Sequence, residues 1–260
     1  MIAMPLPESA LSRIPGWEGA SFAELDGGQT NRTFLVEAGG RRGVLKIDPE
    51  RRAAPYNARV EEARIQREAS RAGLATGVLH ADETTYLTEY YEGRVWTRED
   101  LDDDANLGRL AVALRKLHSL PLTGRSFDAL SAAQGYRSML RGRDPLLAKR
   151  HVATIEAMRR PHNLCLCHND LVAGNIIDAD GLRFLDWEYA CDNDPLFDLA
   201  TVVAHHCLSG RQAGLLLDAY FEGDGERWRD RLARQERLYD ALHWLWWAAR
   251  RRGRGAPAQG

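Results

Sequence analysis

Asp170, Asn175 and Asp186 are the side chains of this sequence whose types and spacing could do chemistry together. They fall in Cys167-His168-Asn169-Asp170-Leu171-Val172-Ala173-Gly174-Asn175 and in Phe184-Leu185-Asp186-Trp187, with apolar residues between. Phosphoryl transfer from a nucleotide needs such a set: one carboxylate to orient the attacking hydroxyl, and an amide oxygen with a second carboxylate to hold magnesium against the phosphates. An ordinary aspartate is a weak base, but a loose transition state asks only that it align the nucleophile and take its proton late. Asn175 and Asp186 are hard oxygen donors, few in number, as suits Mg2+ shared with phosphate oxygens. His168 joins Asp170 as a catalytic candidate, its expected part being to tie the loop to neighbouring backbone.

A nucleotide also needs a grip. Lys46 interrupts the apolar run Val44-Leu45-Lys46-Ile47, where a lysine is costly unless paired or bound to phosphate. Its expected partner is Glu68 on the following helix, ahead of Glu61 and Glu62. Gly27 and Gly28 would let backbone N–H groups approach phosphate oxygens, with Thr30 and Asn31 adding side-chain donors. This loop matches neither the P-loop pattern nor the protein-kinase glycine loop. Glu89 to Gly93, with Tyr91 among them, would present backbone groups to an adenine edge.

These residues need two kinds of element to position them. Residues 1–92 read as a small strand-rich lobe: Thr33-Phe34-Leu35-Val36 and Val44-Leu45-Lys46-Ile47 are β-type runs joined by a Gly39-Gly40 hairpin signal. Asn57 to Ala72 carries a partial helical stripe stopped by Gly73, and Val78-Leu79-His80 and Tyr86-Leu87-Thr88-Glu89 are further strands. Residues 93–260 read as mainly helical. Leu107, Leu110, Ala111, Leu114 and Leu117 recur at helical spacing and stop before Pro121. Ser131 to Arg160 is helical with a break near Pro145, Leu164 to Asp186 is a strand, loop and hairpin, and three helices follow: 196–208, 212–221 and 228–251.

Composition excludes several classes. Lys and Arg (35) nearly balance Asp and Glu (37) over 260 residues, so bulk charge points to no nucleic-acid or membrane partner. The apolar runs are too short to span a membrane, and Met1 to Pro5 has no basic region before an apolar stretch, so the expected location is the cytoplasm. Cys165, Cys167, Cys191 and Cys207 read as buried free thiols, because no second Cys or His pair lies at zinc-site spacing. The basic tail from Arg250 to Arg254 reads as a solvated terminus.

Gly27-Gly28-x-Thr30-Asn31, the His168-x-Asp170-x4-Asn175 loop and Asp186-Trp187-Glu188-Tyr189-Ala190 together resemble the choline/ethanolamine kinase family within the aminoglycoside phosphotransferase superfamily. Asp194-Pro195-x-Phe197-Asp198-Leu199-Ala200 follows the choline-kinase and thiamine-kinase form of the pattern. The resemblance implies an α+β, bilobal, protein-kinase-like fold, with a small antiparallel-sheet N-lobe and a larger, mostly helical C-lobe. It implies an ATP- and Mg2+-dependent kinase with Asp170 as base, Asn175 and Asp186 at magnesium, Lys46 and Glu68 at the nucleotide, and Asp198 as a structural acid. Too little chain separates Asp186 from Pro195 to form the activation segment of a protein kinase.

The acceptor is expected to be a small cationic alcohol, choline or ethanolamine first. Trp244 and Trp247 share a helix face with Asp240 one turn earlier, and aromatic faces beside a carboxylate suit a quaternary ammonium group. The pair resembles the Trp-x-x-Trp element lining the choline pocket of choline kinases, and Glu188 and Tyr189 would complete the site. Against choline, His205 and His206 stand where many choline kinases carry an acid. Thiamine is the next expectation. An aminoglycoside follows, served by Asp192, Asp194, Glu222 and Asp224, and last comes a kinase fold that binds without catalysis.

Overall fold

The computed structural model describes residues 6–25, 31–52, 56–158 and 163–251. Short apolar-alternating runs in the first third of the chain pair into one antiparallel sheet. Its strands are β1 (Ser21–Leu25), β2 (Arg32–Ala38), β3 (Arg41–Ile47), β4 (Val78–Ala81) and β5 (Thr85–Glu89), in the order β1-β2-β3-β5-β4. Gly39 and Gly40, at φ 55° and 75°, make the β2–β3 hairpin in a conformation that suits glycine. Strand alternation then sorts the side chains. Leu45 and Ile47 turn to the face covered by Leu11, Ile14 and Trp17, near the short helix α1 (Pro7–Leu11). Lys46 turns to the opposite face, opposite Thr33 on β2 and Tyr86 on β5. The edge strand β1 is exposed along its length; it has little apolar alternation, and sequence reading started the sheet one strand late.

Helix α2 (Arg59–Arg71) follows β3 and buries Arg59, Glu62, Ala63, Gln66 and Ala69 on one face. Beyond it, a two-residue strand β6 (Arg94–Val95) already pairs with the lower lobe.

The lower lobe holds α3 (Asp104–His118), α4 (Ala129–Met139), α5 (Pro145–Glu156), α6 (Pro195–His205), α7 (Gly210–Tyr220) and α8 (Arg229–Arg250). Caps fix several starts: Asp103, Asp128, Asp194 and Ser209 each accept from a backbone N–H in the first turn of α3, α4, α6 and α7. One apolar core joins α3, α6 and α7, and a second joins α4, α5 and α8. Between them run β7 (Cys165–Cys167), β8 (Ile176–Asp178), β9 (Leu182–Phe184) and β10 (Cys191–Asn193), with β8–β9 a hairpin and β7 paired to β10. The fold is bilobal and α+β. No helix among the described residues is long and apolar enough to cross a membrane.

Among the cysteines, Cys167 and Cys191 are buried and Cys165 half-buried, but Cys207 is exposed, since it follows the C-terminal end of α6 in a left-handed turn at φ 50°. Asp192 and Asp194 do not supply an acidic acceptor pocket. Both are buried, Asp192 accepting from the Thr123 and Gly124 N–H groups and Asp194 capping α6 and meeting Arg231.

Candidate active site

The loop after β7 is shaped by what holds its backbone. Asp198, fully buried on α6, accepts from the His168 N–H at 2.8 Å and the Asn169 N–H at 2.7 Å. Asn169 takes the left-handed region at φ 64° and is pinned by Asn193, whose amide donates to its Oδ1 at 2.7 Å. His168 is buried against Trp187 and Phe184, and its Nε2 meets the Leu185 carbonyl at 2.9 Å. Burial pushes its pKa down, which favours the neutral ring. His168 therefore lies behind the loop and does not line the cleft.

Asp170, Asn175, Asp186 and Lys46 line one cavity of about 820 Å3 between the lobes. Asn175 Nδ2 donates to the Asp170 carbonyl at 2.8 Å and to its Oδ2 at 3.2 Å. Burial, with Asp186 and Glu188 close by, pushes Asp170 up to about 7. Asp186 sits at φ 63° and ψ 69°, a strained setting for an aspartate, two residues past the end of β9. Its Oδ1 pairs with Lys46 Nζ at 2.8 Å, and its side chain keeps 32% exposure to the cleft. Burial opposes the charge on Asp186, but Lys46, backed by Arg59 and Arg52, outweighs it and holds the carboxyl below the usual range.

Lys46 thus meets Asp186, and Glu68 is elsewhere. Glu68 falls off the buried stripe of α2 and pairs with Arg71 at the surface. The buried acid of that helix is Glu62, which pairs with Arg59 at 2.8 Å. It belongs to an enclosed ionic group that sequence reading missed. Arg59 also grips Asp48 at 2.6 Å, and Arg52 joins Asp48 at 3.1 Å to Glu188 at 2.6 Å. Asn57 closes the same joint, its N–H reaching the Glu188 carbonyl at 2.8 Å and its amide the Ala190 carbonyl at 2.6 Å. Burial and Asp186 push Glu188 up to about 7, against the pull of Arg52. The signal for this group was polar residues, Arg59, Glu62 and Gln66, recurring at helical spacing on the buried face of α2.

At the lobe junction, Glu89 and Tyr91 line the cavity. The Glu89 N–H goes to the Gly77 carbonyl at 2.9 Å and the Tyr90 N–H to the Arg42 carbonyl at 3.1 Å. Tyr91 hydrogen-bonds Asp180, with Arg183 3.8 Å over its ring, tying the junction to the β8–β9 turn. Asn31 also lines the cavity and accepts from Thr33 Oγ1 at 2.9 Å. Gly27, Gly28 and Thr30 lie outside the described residues.

The other end of the cavity is aromatic: Tyr136, Tyr189, Phe127, Phe197, Tyr239 and Trp246, with Glu188 beside them. Trp244 and Trp247 are not among them. Trp244 stacks on His151 of α5, with ring centroids 4.7 Å apart, and Trp247 is turned outward under Arg251. Asp240 is exposed on the same outer side and likewise misses the cavity. The stripe of α8 facing the cleft is Tyr239, Leu242, His243, Trp246 and Arg250, because α4, α5 and α6 claim the remaining faces. His205 reaches the cavity and bonds Tyr239 Oη at 2.6 Å, while His206 Nε2 accepts from the Ala173 N–H at 3.0 Å. Burial and the neighbouring His205 hold His206 down at about 4.

Against known proteins, a family model described as phosphotransferase enzyme family matches residues 21–245. Protein LicA of Haemophilus influenzae is 33% identical over 207 residues, covering 75% of this chain and 61% of its own, so the match spans under two thirds of that relative. A thiamine kinase of Shigella boydii is 29% identical over 197 residues, 72% of this chain and 68% of its own. Among solved structures, a choline/ethanolamine kinase family protein from Mesorhizobium loti has a TM-score of 0.70 at 27% identity, covering 92% of this chain and 83% of its own. This chain belongs to the phosphotransferase enzyme family.

Proposed function

We propose that the chain transfers the terminal phosphoryl group of ATP to the hydroxyl of a small cationic alcohol, of which choline is the first choice and ethanolamine a close one. The observation that carries this reading is the meeting of Asp170, Asn175, Asp186 and Lys46 on one cavity whose far end is aromatic. Asn175 commits its amide nitrogen to Asp170, so its Oδ1 and the Asp186 carboxylate form the oxygen pair that suits Mg2+. When bound there, Mg2+ would neutralise charge on the phosphate oxygens. Lys46, on a strand facing that pair, would bind phosphate oxygens. Asp170 would accept the acceptor's hydroxyl proton, its raised pKa making it a better base than a free aspartate. Asp198, buried behind the loop, fixes the direction in which Asp170 points.

Tyr136, Tyr189, Tyr239 and Trp246 offer ring faces, and Asp170 and Glu188 offer negative charge, which together suit a cation that cannot donate hydrogen bonds. That a cation rests on this wall is already visible in Arg250, whose guanidinium lies 4.5 Å over the Trp246 ring. The breadth of the aromatic wall favours a second reading, thiamine, whose cationic ring and primary alcohol meet the same demands. A coupled ADP-release screen against choline, ethanolamine, thiamine and kanamycin tests the proposal. Turnover with choline or ethanolamine well above the other two supports it, a thiamine preference selects the second reading, and turnover with none of the four, or with kanamycin alone, overturns it.

A further inference from the structure

Behind the catalytic loop, on the side away from the cleft, four polar side chains from three elements converge. Cys165 and Cys167 point the same way from β7, and their sulfurs are 3.6 Å apart. The last residue of α3, His118, brings a ring nitrogen to them, and the three donor atoms all lie within 4.8 Å of one another. The last residue of α7, Tyr220, places its hydroxyl 2.7 Å from His118 Nδ1. His118 Nε2 meets Asp198 at 3.1 Å. A carboxylate accepts only, so Nε2 carries the proton and Nδ1 presents its lone pair toward Tyr220. Sequence spacing could not find this group, because it looks for a second pair along the chain and His118 comes from a helix far upstream.

We propose that His118 Nδ1, Cys165 Sγ and Cys167 Sγ form a binding site for a thiophilic divalent cation of the zinc type, with the Tyr220 hydroxyl or a water in the fourth position. Two thiolates on a tetrahedral zinc, each about 2.3 Å from the metal, stand roughly 3.8 Å apart, close to the sulfur separation already present. A hard cation such as Mg2+ would not choose two sulfurs. The far nitrogen of the histidine is held by a buried carboxylate, the outer arrangement that orients metal-bound histidines and makes them more basic. Binding releases the two thiol protons to solvent and takes the Nδ1 lone pair from Tyr220; no electrons are transferred. Cys165 is half-buried and gives the ion its way in. The site would clamp α3, β7 and α7 together directly under Asp198, which holds the His168 and Asn169 N–H groups.

The test uses the whole chain, reduced and freed of metal by a chelator, titrated with Co2+. One Co2+ per chain should raise intense near-ultraviolet thiolate-to-cobalt absorption, and Zn2+ should displace it. Cys165→Ser should weaken Co2+ binding by about a hundredfold or more and remove much of that absorption, whereas Cys207→Ala should change neither. Should Cys165→Ser fail to fold by circular dichroism, cadmium-113 NMR of the unmutated chain reads the number of sulfur ligands directly, with two expected. Absence of the band at stoichiometric Co2+, its survival in folded Cys165→Ser, its loss in Cys207→Ala, or a cadmium shift without two sulfurs each overturns the proposal.

Discussion

Lys46 Nζ lies 2.8 Å from Asp186 Oδ1, joining the middle of an upper-lobe strand to a lower-lobe aspartate in left-handed conformation. The pair spans the cavity between the lobes, and each partner also faces it. A lysine held by one carboxylate can be shared with incoming phosphate oxygens without ever being left unpaired, which keeps its burial tolerable throughout.

Replacing that lysine separates binding from folding. Lys46→Met should lower turnover by about 10²–10³-fold and raise the KM for ATP, since on the proposed function it removes a fixed positive charge beside the transferring group. Asp186 loses its counter-charge in the same variant, so its carboxyl should titrate higher than in the parent. Steady-state kinetics with varied ATP reads the first effect. An unchanged KM and turnover would show that the lysine serves only the ion pair.

Asp170 makes activity and stability depend on pH in opposite directions. In the free enzyme its pKa is pushed up to about 7. The base proposed above works only when ionised, so kcat/KM should climb with pH through about 7 and level off above. The folded pKa lies above the ordinary carboxylate value, so the native state holds its proton more tightly than the unfolded chain between those two values. Stability therefore falls as pH rises through that window, and the penalty is complete above 7. Asp170→Asn should abolish turnover and yet be more stable than the parent at pH 8, by an amount of order a few kcal/mol, with the gain gone near pH 4. Urea unfolding at the two pH values checks the sign; an Asn variant that is less stable at pH 8 would contradict it.

The loop motif was readable because its chemistry needs fixed residue types at short range, and Asp170, Asn175 and Asp186 meet on one cavity as their spacing suggested. The alternating runs around Leu45 and Tyr86 were equally plain, for burial on one face writes a period of two. Side-chain direction on helices was harder. Helix α2 offers Glu61, Glu62 and Glu68, and only burial of Arg59 and Gln66 on the same stripe singles out Glu62. The run Trp244-Leu245-Trp246-Trp247 spreads indoles over several faces of α8. Spacing alone then cannot say which face points to the cleft, because that depends on how α4, α5 and α6 pack around it. The charges of the Asp48–Arg52–Arg59–Glu188 group come from a loop, a helix and the segment after Asp186, a meeting created only by tertiary contact.

That ionic group should matter for stability more than any surface pair. Arg52→Met leaves Glu188 and Asp48 buried with one cation fewer, and loss of a partner from such a group costs about 3–5 kcal/mol. Glu188, no longer pulled down by Arg52, would titrate higher in the native state than in the parent. Its penalty is then greatest above that raised pKa and shrinks as pH falls through it. Urea midpoints at pH 8 and pH 5.5 should show the larger deficit at pH 8. A deficit under about 1 kcal/mol at both, the level of an exposed pair, would mean that water reaches the joint.

The three indoles near the end of α8 give the sharpest test of which residues meet the acceptor. Trp246→Ala removes a ring that lines the cavity and should raise the KM for choline by tenfold or more, as loss of a desolvated cation–π contact of about 2 kcal/mol requires, with the KM for ATP little changed. Trp244→Ala removes a half-buried ring stacked on His151 and should instead cost stability of about 1–3 kcal/mol while leaving the KM for choline within a factor of two. Trp247, outward under Arg251, should affect neither. Arg250 lies over the ring a substrate cation would use, so Arg250→Ala should lower the KM for choline by freeing that face. Kinetics on the four variants with choline and ATP varied in turn decides the matter. If Trp244→Ala, and not Trp246→Ala, raised the choline KM, the acceptor would bind on the α5 side of α8 and outside the cleft that holds Asp170.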